Sequence, residues 1–332
     1  MSGPQEAGAA RPAPLPPDAA VDLSVTVGAL TFKNPFLAAS GCFAYGSELP
    51  ELAPAALFGG VVTKTILEAR RPGNRPTRIV ETPSGMINSI GLEGVGIERY
   101  IAEKIPKLAG VDTRLIVSVG GHDVEEFARL AARLDGIDRV DAIELNISCP
   151  NVDGGTDFST DPELAAATIR AVKRVTGKPV WAKLTPNVTR IGVIGRACQE
   201  AGADALSAVN TFGGMAVDVE TGTTVLPRGM GGVSGPAIRP MALAKVWELT
   251  KSVSIPIVGI GGIATGRDAL EFLITGAAAV QLGTILYVDP RRAESASEEL
   301  RVFCRRKGIA ALRALIGTLT LPPAPGAAPA AR

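Results

Sequence analysis

The stretch Ile255-Pro-Ile-Val-Gly-Ile260-Gly-Gly-Ile-Ala-Thr265-Gly-Arg-Asp-Ala-Leu270-Glu-Phe-Leu-Ile-Thr275-Gly-Ala-Ala-Ala-Val280-Gln-Leu-Gly-Thr284 reads as strand, glycine turn, helix, strand and glycine turn. Ile255–Ile260 is short, apolar and ended by Gly261-Gly262. Arg267–Thr275 has helical spacing and stops at Gly276, a residue suited to a helix end. Ala278–Leu282 is a second apolar run, ended by Gly283-Thr284. Neither run alternates with polar residues, so both predict strands covered on both faces, as in a parallel sheet with crossover helices.

The same rhythm extends back through the chain. Apolar runs stand at Phe36–Ser40, Gly60–Thr65, Arg114–Val119, Val140–Asn146, Lys178–Leu184 and Ala203–Val209. Helical patterns lie between most of them, at Asp123–Leu134, from Asp161-Pro162 onward, at Val188–Ala201 and at Pro240–Val253. Asp123 followed by Glu126 predicts a capping box, and Asp161-Pro162 supplies an N-cap with proline at the first helical position. Eight strands with interleaved helices predict an α/β fold, a (β/α)8 TIM barrel. An open doubly wound sheet is the alternative, but no G-x-G-x-x-G opens the first β-α turn. Val21–Lys33 alternates around Gly28 and predicts a β-hairpin closing the bottom of the barrel. Residues 21–318 are thus expected to form one domain between disordered Pro/Ala-rich tails at 1–20 and 319–332.

Composition narrows the class. The 332 residues are 46% hydrophobic and 20% charged, which excludes a disordered chain. Thirty-four Lys and Arg against 33 Asp and Glu give a net charge of +1, and aromatics are only 4%. Neither nucleic acid nor an anionic membrane has an electrostatic claim on such a surface. No apolar run reaches the ~20 residues of a membrane span, and the proline-rich start is not a signal peptide. A soluble cytoplasmic enzyme is expected. The four cysteines, 42, 149, 198 and 304, have no metal-ligand spacing, and the single histidine, His122, reads as a structural residue at a helix start.

Barrel enzymes keep their active site at the carboxyl ends of the strands. Those ends carry Ser40-Gly41, Lys64-Thr65, Ser118, Asn146-Ile-Ser-Cys149-Pro-Asn151, Lys183, Asn210-Thr211, Gly261-Gly262 and Gly283-Thr284. Glycines after strands seven and eight suit a phosphate cradle, although glycine also ends strands for turn reasons. Lys64 and Lys183 follow strongly apolar runs, which favours a cation pair at the barrel mouth over solvated lysines. Cys149, in a Ser-Cys-Pro-Asn turn, is on position alone equally a structural thiol and a proton carrier.

These segments, with Asn34-Pro-Phe-Leu-Ala-Ala-Ser40-Gly, Gly73-Asn-Arg-Pro, Glu81-Thr-Pro-Ser-Gly85-Met-Ile-Asn88-Ser-Ile-Gly91-Leu92, Lys183-Leu-Thr-Pro-Asn187 and Gly232-Val-Ser-Gly-Pro-Ala-Ile238, resemble the class 1 dihydroorotate dehydrogenases. They run in order over about 250 residues. The turn Asn151-Val-Asp-Gly-Gly155 is most similar to the NAD-linked class 1B catalytic subunit. The resemblance implies FMN-dependent oxidation of dihydroorotate to orotate in pyrimidine biosynthesis. It also implies a homodimer at the core of a heterotetramer, and a partner subunit carrying FAD and a 2Fe–2S cluster that passes electrons to NAD. A fumarate-using class 1A enzyme and a dihydropyrimidine dehydrogenase-type barrel are the neighbouring alternatives. A non-redox barrel binding a phosphorylated ligand would leave Lys64, Cys149 and Lys183 as bystanders together.

Residue by residue, the resemblance assigns Cys149 as the catalytic base. It assigns Ser40, Lys64, Thr65, Ser118, Asn146, Lys183, Val209, Gly235, Gly261, Gly262, Gly283 and Thr284 to FMN. It assigns Lys64, Asn88, Ser89, Ile90, Gly91, Leu92, Asn146, Asn210 and Thr211 to the substrate, and no residue to a metal. Two positions depart from the family pattern. Ser118 stands where an asparagine is usual, and Glu93-Gly94 replaces the usual Gln-Asn.

Overall fold

A computed structural model describes residues 13–148, 158 and 160–322. Eight parallel strands close a barrel: Phe36–Ala38, Gly60–Val62, Arg114–Val119, Ala142–Leu145, Val180–Leu184, Ala205–Ala208, Ile257–Ile260 and Ala279–Leu282. They stand side by side in chain order, and the register Val280↔Phe36 joins the eighth to the first. Each lies within one of the predicted apolar runs, trimmed by up to three residues at an end. All are buried along their length except Arg114 at the entry of the third. The closed ring leaves no open sheet edge, which decides between the two architectures the sequence allowed.

Helices cover the ring where the patterns placed them: Val124–Asp135, Pro162–Lys173, Ile191–Glu200, Arg239–Thr250 and Gly266–Thr275, followed by Arg292–Arg306. The Asp161 side chain accepts from the backbone N–H groups of Glu163 and Leu164, as the Asp-Pro signal required. Asp123 accepts from Glu126 N–H, but Glu126 does not complete the box. Its carboxylate reaches one residue further back, to His122 N–H at 2.8 Å. His122 Nδ1 lies 2.8 Å from the same oxygen, so the chain's single histidine serves this helix start. A full reciprocal box stands instead at Thr265 and Asp268, opening the helix between strands seven and eight. Gly259 lets that helix ride close to the barrel, because a Cβ there would come 2.5 Å from the Phe272 ring.

The predicted hairpin is present, as Val25–Val27 and Leu30–Phe32 paired antiparallel around Gly28 at φ 57°. Phe32 is fully buried and plugs the barrel floor, with its ring 6.2 Å from that of Trp181. Gly60, at the entry of strand two, makes room for it, since a Cβ there would lie 3.0 Å from both Phe32 and Ile116. Burying an aromatic of this size contributes about 2–3 kcal/mol.

Several elements have no counterpart among those predicted: the helical turns from Ile97 to Leu108, the Arg292–Arg306 helix and, above all, a sheet over the mouth. Four short antiparallel strands stand in the order Phe212–Met215, Met230–Ser234, Gly85–Asn88 and Ile79–Thr82, and roof the mouth. They come from the connections after barrel strands two and six. Their glycines and half-exposed positions carry neither alternation nor an apolar run, so periodicity could not find them.

Candidate active site

Under that roof lies a cavity of about 700 Å³. The barrel contributes the turns after six of its strands, and the roof side contributes residues between Ile79 and Glu93 together with Ser234-Gly235. One hydrogen-bonded chain crosses the mouth. Ser40 Oγ is 3.3 Å from Thr65 Oγ1, which accepts from Asn146 Nδ2 at 3.0 Å. Ser148 Oγ donates to Asn146 Oδ1 at 3.2 Å, and Asn210 Nδ2 donates to Ser148 Oγ at 2.7 Å. Strands one, two, four and six are thereby tied through side chains at one level. Such connected networks fix rotamers better than separate pairs do.

The sequence-predicted residues mostly converge here. Ser40, Lys64, Thr65, Asn88, Ile90, Gly91, Leu92, Asn146, Lys183, Val209, Asn210, Thr211, Gly235, Gly261, Gly262, Gly283 and Thr284 all line the cavity. Ser118 and Ser89 stand behind its wall. Ser118 is fully buried with Oγ 3.1 Å from Thr65 Oγ1, and Ser89 Oγ accepts from Asn74 Nδ2 at 3.0 Å. Cys149, Asn151 and Gly154-Gly155 lie outside the described residues.

Several lining residues carried no sequence signal that was read. Cys42 follows Ser40-Gly41 and could have been found by extending the strand-end rule two residues. Burial pushes its thiol above the usual range, against the pull of nearby Lys183. Tyr287 donates to Gly41 O at 2.9 Å, and Ser234 Oγ accepts from Thr284 Oγ1 at 2.8 Å. Glu93, noted only as a departure, faces the cavity with Oε2 3.5 Å from Lys64 Nζ and 3.0 Å from Arg78.

The wall near strands seven and eight is built from backbone. Gly261 and Gly262 have φ of 130° and 70°, conformations that side chains rarely adopt. A Cβ on Gly262 would meet Arg239 N at 2.7 Å, and one on Gly235 would meet Gly85 Cα at 2.5 Å. Exposed peptide groups with no side chains over them suit an anion such as a phosphate. Lys183, only 6% exposed, brings a cation into the same cavity from strand five.

A family model described as dihydroorotate dehydrogenase matches residues 22–303. The chain belongs to the dihydroorotate dehydrogenase family. It is 47% identical over 301 residues to a Geobacter sp. (strain M21) protein named dihydroorotate dehydrogenase B (NAD(+)), catalytic subunit. That match covers 90% of this chain and 99% of the relative. A Trichlorobacter lovleyi protein of the same name is 47% identical over 298 residues, covering 90% and 98% of the two chains. For a dihydroorotate dehydrogenase-family barrel, the donor set fits a flavin mononucleotide. The side-chain-free glycine wall suits its phosphate, while Lys64, Lys183 and the Asn146–Asn210 chain offer donors and acceptors for its ring. Among the described residues no cluster of His, Cys, Asp and Glu could hold a metal ion, and no helix is long and apolar enough to cross a membrane.

Proposed function

We propose that this chain is the catalytic subunit of an NAD-linked dihydroorotate dehydrogenase, oxidising dihydroorotate to orotate in pyrimidine biosynthesis with FMN as its cofactor. The observation that carries the reading is the single cavity shared by two lysines, an asparagine chain and a glycine cradle, in a chain whose relatives bear that name over 90% of its length.

The reaction removes a proton from C5 and a hydride from C6 of the ring. FMN, when bound, supplies the hydride acceptor. Cys149, as thiolate, would take the proton from C5. Asn146 and Asn210 present amide groups whose paired donor and acceptor match the imide and amide edges of the substrate ring. Lys64 would hold the substrate carboxylate and touch the flavin. Lys183, itself buried, would offset negative charge developing at the flavin ring by electrostatic stabilisation. Gly235, Gly261, Gly262, Gly283 and Thr284 would hold the phosphate end, with Ser40, Thr65 and Val209 against the ring. Asn88 to Leu92 and Thr211 would close over the substrate, while Ser118 and Ser89 would act through Thr65 and Asn74.

Electrons would leave for NAD through a partner subunit carrying FAD and a 2Fe–2S cluster, docked on a homodimer of this chain in the cytoplasm. The domain holding the flavin would span residues 21–318.

An anaerobic absorbance spectrum tests the reading. A flavin spectrum that bleaches when dihydroorotate is added is the expected result. A flavin that stays oxidised with dihydroorotate, yet is reoxidised by uracil after chemical reduction, would move the chain to the dihydropyrimidine dehydrogenase type. Turnover with fumarate in the absence of any partner would move it to class 1A.

A further inference from the structure

We propose that Glu93 is an internal counter-ion of Lys64 that weakens this site's hold on its anionic substrate and product, an inference that rests on the dihydroorotate reading. Lys64 stands just beyond barrel strand two, and Glu93 descends from the roof side, so the contact joins the two parts of the site. The carboxylate is held in place from behind. Arg78 donates to Glu93 Oε2 at 3.0 Å and is itself anchored on two backbone oxygens, Asn74 O at 2.6 Å and Pro72 O at 3.0 Å. Gly73 permits the approach, because a Cβ there would lie 2.9 Å from Glu93 Cβ.

An anion arriving at Lys64 therefore meets a cation that is already partly neutralised. It must displace the Glu93 carboxylate, which Arg78 keeps nearby as a like charge. Dihydroorotate and orotate each carry a carboxylate, so both pay this cost, and product leaves more readily for it. The pair is solvent-accessible, with side-chain exposures of 24% and 46%, so its effect is modest. Glu93 thus lowers the site's affinity for a carboxylate by acting through Lys64.

The test uses the flavin-loaded enzyme and orotate, with binding followed by the change in flavin absorbance. Glu93→Gln keeps the shape and the acceptor for Arg78 but removes the charge. Its Kd for orotate is expected to fall roughly three- to tenfold, about 0.7–1.4 kcal/mol, with the KM for dihydroorotate falling in parallel. A residue that merely braces the loop would give the opposite sign, since loosening it weakens binding. Glu93→Asp, whose carboxylate is drawn back from Lys64, is expected to lie between wild type and Glu93→Gln. Equal or weaker orotate binding by Glu93→Gln, or an Asp variant that binds more tightly than the Gln variant, overturns the inference alone. Wild-type enzyme that takes up no orotate overturns the dihydroorotate reading, and this inference with it.

Discussion

Asn146 Nδ2 donates to Thr65 Oγ1 at 3.0 Å, across a separation of 81 residues, and thereby clamps the carboxyl ends of barrel strands four and two together. Asn146 is the hub of the mouth network, because its Oδ1 also accepts from Ser148. Asn146→Ala is expected to keep the barrel folded and to weaken orotate binding about 5- to 150-fold, from ~1–3 kcal/mol for buried partners left unpaired. Titration of orotate into the flavin-loaded variant checks this; binding within twofold of wild type would remove Asn146 from the site.

Cys149→Ala is expected to bind FMN normally and to slow flavin reduction by dihydroorotate roughly 10²- to 10⁴-fold, the usual contribution of a general base. Stopped-flow reduction under anaerobic conditions reads this directly. Wild-type rates at neutral pH would exclude Cys149 as the base.

Gly262→Ala would add a Cβ 2.7 Å from Arg239 N at a backbone with φ 70°. Left-handed backbone alone costs an ordinary residue roughly 1–2 kcal/mol. Flavin content of the purified variant should fall well below one per chain, with a lower melting temperature. Full flavin occupancy would mean that the cradle tolerates a side chain.

Burial pushes the Cys198 thiol up to about 12 from an ordinary 9. Above pH 9 the unfolded chain releases this proton while the folded chain keeps it. The folded state then binds more protons, so stability falls as pH rises from 9 toward 12 and is indifferent to this group below 9. Melting temperatures between pH 8 and 11 should drop less for Cys198→Ala than for wild type, measured as the slope against pH. Identical slopes would show that the thiol ionises freely in the fold.

The barrel was legible because its strands are buried on both faces. Val180–Leu184 and Ala279–Leu282 therefore had to be apolar, and glycine or polar residues had to follow at the mouth. That rule located Lys64, Asn146, Lys183 and Asn210 without any structure. It failed for the roof, where Gly214, Gly231 and Gly232 leave no room for a side chain. A Cβ on Gly232 would lie 2.0 Å from Thr211 Oγ1, a constraint with no periodic trace in the chain. It also missed Tyr287, whose contact with Gly41 spans 246 residues. Glu93 was visible as an unusual residue, but its pairing with Lys64 depends on how two connections meet in space.

The roof sheet joins segments far apart in the chain, and Asn88 reaches Gly232 O across 144 positions. Pairing such distant pieces in a loose chain would carry a heavy loop-closure entropy. Once the barrel has closed, strands two and six already stand in one ring, and the stretches left to close are far shorter than the 144 positions between Asn88 and Gly232. The cover over the active site is thus the part of the molecule whose pairing gains most from the ring having closed beneath it.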